Sequence, residues 1–447
     1  MGALVHRCIF RKILPVDAIG VYEIRSVVLL VALFAMAYSD PHSKQQGLER
    51  VLLTYGWVRS SYAAMRNLAQ HGVQVWASDA FRVGMCQWSK HRREFARYPS
   101  HYADEMGFVR AVADACYKHH IDLIFPSHNE TEILARHRGL LPTGTDALLP
   151  DAQLCALFNN KARSYTLAES LGVRLPRRLA YASAAEVPAV FRELDRGSGV
   201  VVKLLTGNSA KGVFYPRCAQ EAKALVEELV QRFKLSVERL PQIEERVEGF
   251  GAGCSVAYWR GTMIQRFSHR RLREKIVTGG TSTLRESFHC PAIEEDARRI
   301  FDHVGWHGLA MAEFKVCPRT GRSWFIEVNP RMWGSIPLAI AAGAEFPHLL
   351  WTCAARGPDE ALALARRATV REGWRGRWLL GDIMLAASQT ANMKLGEASR
   401  TLFRSGADSL DDFYWDDPCA FVGEIAHYMT RFLATRSTNP AEKGMLQ

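Results

Sequence analysis

The chain has 447 residues, about three times the length of a common domain, which predicts two or three structural units. Its 48% apolar and 23% charged residues exclude a disordered or fibrous chain. The net charge of +11 would suit a nucleic-acid binder, a membrane-surface protein or an enzyme for anionic substrates. No long Lys/Arg tract or zinc-finger spacing favours the first class, so nucleic acid is not an expected partner.

Residues 1–48 are predicted to be an N-terminal extension or linker. The run VVLLVALFAMA at 27–37 follows several basic residues and is similar to the apolar part of a signal peptide or a short anchor. It is too short to cross a bilayer comfortably. We prefer the interpretation that 1–35 is an upstream extension and Met36 the natural start, while a membrane contact at this end stays open.

Ten cysteines are scattered along the chain without a CxxC pair, and several lie in apolar runs. This pattern is typical of reduced, mostly buried thiols, and it argues against a disulfide framework or a zinc site. We therefore expect a cytoplasmic protein.

Residues 49–150 are predicted to form a small parallel α/β domain. Two strand patterns, RVLLTYG and VQVWASD, flank the helical pattern SSYAAMRNLAQHG, and IDLIFPS continues the alternation. The unit is Rossmann-like and ends at Asp79. A dehydrogenase with NAD(P) at Gly56 and Asp79 stays an alternative, although only one glycine stands where GxGxxG is required.

Residues 151–360 are predicted to form an α+β domain with mainly antiparallel strands. A helical segment comes first, and GVVVKLLTGNSAKGVFYP then predicts two short strands joined by a glycine-containing loop. Further strands and two helices lead to the strand pair GLAMAEFKV and SWFIEVNP. The last segment, 361–447, is predicted to be helical.

The strand pair carries a candidate metal site. Glu313 and Glu327 can face one another on adjacent antiparallel strands, and Asn329 lies on the same face as Glu327. Carboxylate and amide oxygens suit Mg²⁺ that is shared with phosphate oxygens. The alternative is a polar strand face directed to solvent, but the flanking apolar residues indicate a buried hairpin.

The loop GNSAKG begins like a P-loop, but Val213 and Phe214 stand where Lys and Ser/Thr are required, so a Walker A site is excluded. Backbone N–H groups of such a loop can still bind phosphate. Lys203, alone among apolar residues, would add a positive charge. The alternative for Lys203 is an edge lysine that reaches solvent.

The stretch RFSHRRLREKIVTGGTSTLRES is strongly basic. It is predicted to form an anion-binding wall that orients a substrate carboxylate, and we favour Arg271 and Arg285 for this role. A solvated basic face and a nucleic-acid patch are the alternatives.

The order of these features over 50–360 resembles the ATP-grasp superfamily, and in particular the carbamoyl-phosphate-synthase-like carboxylate–amine ligases. The most specific segments are FIEVNPRMWGS, GLAMAEFKV and HRRLREKIVTGGTSTLRES. The resemblance implies an α/β and α+β multidomain protein, with a Rossmann-like pre-ATP-grasp domain, a two-lobed ATP-grasp domain and a helical C-terminal segment. It also explains a Rossmann-like unit without a dinucleotide fingerprint.

The resemblance further implies a role for particular residues. The ATP phosphates would contact Lys161, Lys203, Ser209 and Gly212. The adenine would contact the hinge at 244–247, which includes Glu244, Glu245 and Val247. One or two Mg²⁺ ions, or Mn²⁺ in their place, would bind Glu313, Glu327 and Asn329. Catalysis would involve Arg331, with Arg271 and Arg285. One departure stands out, because EGFGAGCS offers only Gly251, Ala252 and Gly253 where related folds carry an acidic ribose ligand.

The resemblance thus implies an ATP-dependent ligase. A substrate carboxylate would be activated as an acyl phosphate and attacked by an amine, with release of ADP and phosphate. The alternative is a non-catalytic or regulatory ATP-binding module. Expected partners are a small carboxylate and a small amine, and a homodimer is a further expectation.

Overall fold

A parallel four-stranded sheet begins the part of the chain that this computed structural model describes, residues 50–207, 212–274 and 281–436. Its elements are β1 (Arg50–Leu53), α1 (Arg59–Gln70), β2 (Gln74–Asp79), α2 (Met85–Trp88), β3 (Arg92–Arg97), α3 (Glu105–His119), β4 (Leu123–Phe125) and α4 (Glu130–Arg136). The strand order is β3-β2-β1-β4. The central strands are buried, as the apolar runs predict, and the parallel α/β unit is confirmed.

A smaller antiparallel sheet follows. The elements are α5 (Ala152–Asn159), α6 (Lys161–Ser170), α7 (Val187–Leu194), β5 (Val200–Lys203), β6 (Val213–Phe214), α8 (Ala219–Phe233) and β7 (Gln242–Glu245). The order is β6-β5-β7, and α7 and α8 cover one face through a separate apolar core. The predicted hairpin is confirmed, since Lys203 pairs with Val213.

The third sheet has seven strands. The remaining elements are β8 (Phe250–Trp259), β9 (Thr262–Glu274), β10 (Ser282–Ser287), α9 (Pro291–His303), β11 (Gly308–Val316), β12 (Ser323–Asn329), α10 (Ile336–Ala342), α11 (Phe346–Ala355), α12 (Pro358–Arg367), β13 (Arg375–Arg377), α13 (Leu379–Ala391), α14 (Leu395–Phe403), β14 (Ser409–Leu410) and α15 (Pro418–Thr435). Its order is β12-β11-β8-β9-β10-β13-β14. The C-terminal segment is mainly helical, as predicted, and in addition its two short strands, β13 and β14, extend this sheet.

The seven-stranded sheet has an apolar core on each face. One core contains Tyr165, Ile300 and Trp306 and packs beneath α5, α6 and α9. The other is shared with the parallel sheet and joins Val51 of β1 to Phe267 of β9. This shared core holds the parallel sheet against the larger one within the compact unit 45–447. The domain boundaries near 150 and 360 stay a prediction.

The structure bears on two predictions, reduced cysteines and a possible membrane contact. The described cysteines are unpaired and most are buried, as the scattered pattern predicts. Across the described residues, no single helix is long and apolar enough to cross a membrane. The pair α10 and α11 passes on length and composition only when both are counted together across an 82° bend. The apolar run at 27–37 lies outside the described residues.

Candidate functional site

A cavity of about 650 Å³ is lined by residues of both antiparallel sheets, of the parallel unit and of α15. It brings together nearly all the residues singled out in the sequence. These are Lys161, Lys203, Gly212, Glu244, Glu245, Val247, Arg271, Arg285, Glu313, Glu327, Asn329 and Arg331. Ser209 lies outside the described residues. The cavity is therefore the candidate active site.

The two carboxylates of the predicted metal site face each other across β11 and β12, since Glu313 is paired with Glu327. Asn329 donates to Glu313 with 3.0 Å between Nδ2 and Oε1, and Arg271 forms an ion pair with the same carboxylate. Nζ of Lys161 lies 3.2 Å from Oε2 of Glu327. The antiparallel register thus places the three predicted oxygen ligands together.

The two carboxylates differ electrostatically. Burial raises the pKa of Glu313; Arg271 opposes this shift and the charge of Glu327 adds to it. Burial also disfavours the charge of Glu327, but Lys161, Lys203 and Arg271 together lower its pKa. Glu327 therefore carries a stable negative charge next to a second acidic group.

This donor set fits a divalent cation. Two partly buried carboxylates on neighbouring strands repel each other unless positive charge lies near them, and Asn329 adds an amide oxygen. Hard oxygen ligands of this kind suit Mg²⁺ better than a soft metal.

Two buried lysines also line the cavity. Lys161 opens α6 and also donates to the Gly207 carbonyl, with 3.2 Å between nitrogen and oxygen. Lys203 is 5% exposed and forms an ion pair with Glu244. Because Lys203 is buried at the cavity wall, it is not an edge lysine that reaches solvent.

The acidic side chains of the hinge at 244–247 are held by hydrogen bonds and an ion pair within the protein. Glu244 accepts from Tyr165 at 3.0 Å and from Gln242 at 2.8 Å, in addition to its pairing with Lys203. Glu245 accepts from the backbone N–H of Arg177. An adenine contact at this hinge would therefore involve backbone groups.

Strand β8 has glycines where related folds carry an acidic ribose ligand, and close contacts explain these glycines. A Cβ at Gly251 would lie 3.0 Å from Cδ of Arg271, and one at Gly253 would lie 2.7 Å from Cε1 of His269. The side chains of Arg271 and His269 therefore cross β8 from the neighbouring strand. Any larger residue here would close the path by which Arg271 reaches Glu313.

The part of the cavity around Arg285 is basic. The sequence predicted Arg285 but not its neighbours. Arg285 is fully buried and paired with Asp411. Nε of Arg59 lies 3.5 Å from the same carboxylate, and its guanidinium lies over Trp378 at 4.1 Å from the ring centre. Arg59 and Asp411 were missed. The only sequence signal was an arginine in the first turn of α1, where the helix dipole disfavours a positive charge.

Arg331 lies between the predicted metal-binding residues and the parallel unit. Its Nη2 donates to Oδ1 of Asn329 at 3.0 Å, and its Nε donates to Asn129 of the parallel unit, also at 3.0 Å. It is 9% exposed. Arg331 thus lies beside Asn329, and its role beside a transferred phosphoryl group stays a prediction.

No protein-family model matches the sequence, and no curated protein matches it significantly. Several solved structures are similar in fold. Biotin carboxylase from Campylobacter jejuni, in a β,γ-ATP complex, has a TM-score of 0.57 at 14% identity and covers 73% of this chain and 74% of its own. An ADP complex of N5-carboxyaminoimidazole ribonucleotide synthetase gives 0.55 at 13% identity, with 79% and 87% covered.

Phosphoribosylglycinamide synthetase from Anaerococcus prevotii is similar as well, with a TM-score of 0.53 at 11% identity and coverage of 74% of this chain and 80% of that one. All three are ATP-grasp proteins. The similarity covers about three quarters of the chain in each comparison. The chain therefore has the ATP-grasp fold.

Proposed function

We propose that the protein is an ATP-dependent carboxylate–amine ligase. The observation that carries this proposal is the meeting of Glu313, Glu327 and Asn329 with Lys161 and other buried cations in one cavity. A transferred phosphoryl group spreads negative charge over its oxygens, and placed cations stabilise that charge. The names of the three similar proteins support the proposal.

In the proposed reaction, a substrate carboxylate attacks the γ-phosphorus of ATP and ADP leaves. An amine then attacks the acyl phosphate, forms the C–N bond and releases phosphate. Arg331 suits the acyl phosphate because its planar fork offers paired donors, and its contacts to Asn329 and Asn129 hold it in place. Lys161 and Lys203 would bind the ATP phosphates, with Gly212 and Ser209 from the loop between β5 and β6.

One or two Mg²⁺ ions, or Mn²⁺, would be held by Glu313, Glu327 and Asn329. When bound, the metal would neutralise phosphate charge during transfer. Arg271, between Glu313 and Glu274, would then orient Glu313. Arg285 would act on the substrate, and a homodimer stays part of the proposal.

A Glu327→Gln variant tests the metal assignment. Loss of one ligand charge should lower ADP release by about 100-fold or more, as for other groups that stabilise transferred charge. ADP release would be followed with a panel of carboxylates and hydroxylamine as a general amine. Glu295→Gln, an exposed residue on α9, is the matched control and should behave as the wild type.

Full turnover by the Glu327→Gln variant would show that the metal assignment is wrong. A wild-type protein that binds ATP and Mg²⁺ but releases no ADP with any carboxylate and amine would instead be a non-catalytic nucleotide-binding module.

A further inference from the structure

One end of the cavity is rich in buried nitrogen atoms without a hydrogen-bond partner. Among the described residues these are Nε and Nη1 of Arg285, Nε of Arg59, Nδ1 of His269 and Nε1 of Trp333. All four side chains line the cavity. Buried polar groups in native proteins are nearly always paired, so such a cluster predicts a ligand with acceptor oxygens.

These side chains lie near one another although they come from four parts of the fold. Arg285 and Arg59 meet at Asp411. Nη2 of Arg59 would lie 3.5 Å from a Cβ at Gly334, in the loop that follows Arg331. Ser335 of the same loop lies 3.0 Å from Nε2 of His269. If Ser335 donates to Nε2, Nδ1 of His269 carries a proton and is a donor like the others.

The cluster is separate from the metal ligands. Arg285 lies on β10, and Glu313 lies on β11, three strand spacings away in the order β11-β8-β9-β10. This corresponds to about 14 Å between strand axes. Arg285 is paired with Asp411, whereas Arg271 is paired with Glu313, so the two arginines serve different carboxylates.

We propose that Arg59, His269, Arg285 and Trp333 form a subsite for a carboxylate that does not react. This proposal rests on the proposed ligase function and narrows its substrates to those with an additional carboxylate. The extra carboxylate belongs either to the amine, which is then an amino acid, or to the acyl substrate, which is then a dicarboxylate.

The electrostatics agree with an anionic ligand. Arg59 and Arg285 both face Oδ2 of Asp411, which leaves Nε and Nη1 of Arg285, and also Oδ1 of Asp411, without a hydrogen-bond partner. Burial, with Arg271 and Arg285, lowers the pKa of His269 to about 3, so this ring is neutral, and in the tautomer that accepts from Ser335 its Nδ1 is a donor that adds no charge. An incoming carboxylate would find two guanidinium groups already oriented by their packing.

Binding to the full-length chain tests the subsite without turnover. Probes are glycine, L-alanine, L-glutamate, malonate, succinate and glutarate, each compared with its carboxamide, in the presence of ATP and Mg²⁺. We expect at least one carboxylate to bind at least tenfold more tightly than its amide, and Arg59→Gln to remove this difference. Arg66→Gln, on the same helix but paired with Asp416, is the matched control.

The proposal is overturned if no probe shows carboxylate-dependent binding, or if Arg59→Gln binds as the wild type does. If Arg59→Gln does not fold, Arg285→Lys gives the second test, since it keeps a charge opposite Asp411 but loses the planar fork. It should weaken the same probe at least tenfold.

The source of the carboxylate is decided by kinetics with hydroxylamine, an amine that has no carboxylate. If the group is on the amine, Arg59→Gln raises KM for the amino acid at least tenfold more than it raises KM for hydroxylamine. If it is on the acyl substrate, KM for that substrate rises with either amine. Carboxylate-dependent binding without any ADP release would refute the ligase function and keep the subsite.

Discussion

Gly253 shows how a single residue shapes the site. A Cβ here would lie 2.7 Å from Cε1 of His269 and 3.0 Å from Sδ of Met311. The His269 ring is held by Ser335 and is fully enclosed, so it cannot move aside easily. A strand glycine is normally unfavourable, and close approach of another side chain explains this one.

Gly253→Ala should therefore destabilise the protein by about 1–3 kcal/mol through overpacking. Thermal unfolding would measure the change. Gly396→Ala is the matched control, because this exposed position near the start of α14 has open space around it and should be neutral or slightly stabilising. Equal effects of the two substitutions would contradict the packing argument.

The helix α15 completes the cavity from the far end of the chain. His427 stacks on Trp57 with 4.2 Å between ring centres, and its residues 427, 428 and 431 line the cavity. The helix is tied to the parallel unit at its start by Asp417. This carboxylate accepts from Tyr62 and Ser89 and from the backbone N–H of Lys90.

Asp417→Ala should cost about 2–4 kcal/mol because three partly or fully buried donors lose their acceptor. Hydrogen exchange should also increase in α15. Asp416→Ala is the control, since Asp416 is about half exposed and pairs with Arg66 at the surface, where ion pairs contribute about 1 kcal/mol or less. If α15 exchanges equally in both variants, Asp417 does not anchor the helix.

At the largest scale, the segment after residue 360 links the seven-stranded sheet to the parallel unit. Its centre is a pair of buried acids, Asp412 and Glu424, behind Arg59 and Trp378. Asp412 accepts from the backbone N–H groups of residues 379 and 380, and Glu424 accepts from Trp378. Burial raises the pKa of Asp412 to about 6, and burial with Asp412 raises the pKa of Glu424.

These raised pKa values predict a pH dependence of stability. Above the usual carboxyl pKa, near 4, the folded chain holds more protons at this pair than the unfolded chain, so the free energy of unfolding falls as the pH rises through 6. Glu424→Gln removes the carboxyl group that takes up the proton and keeps an oxygen that can accept from Trp378. The variant should gain about 1–3 kcal/mol relative to the wild type between pH 5 and pH 8.

Thermal unfolding across this pH range measures the effect. Glu397→Gln, an exposed change on α14, should show a constant difference from the wild type. A constant difference for Glu424→Gln as well would show that the buried pair does not hold an extra proton.

Much of the candidate site follows from local pattern. The hairpin at Lys203 and the facing of Glu313 and Glu327 could be predicted because each involves strands that are close in sequence, and alternation then decides which side chains share a face. Strand β10 and the short strands β13 and β14 could not be predicted, since their polar residues lack the alternation typical of a half-buried strand. They are strands because neighbouring edges supply their hydrogen bonds.

Local sequence pattern was enough to predict the α/β and α+β character, the oxygen-rich strand pair and the lysines of the cavity. Only the tertiary structure brought Arg59 and Arg285 to Asp411, across 352 and 126 positions of the chain. Such pairings depend on how the shared apolar core seats the parallel unit and the C-terminal segment against the large sheet. Apolar burial is non-directional, so a local pattern shows that a residue is buried but not which distant side chain it will contact.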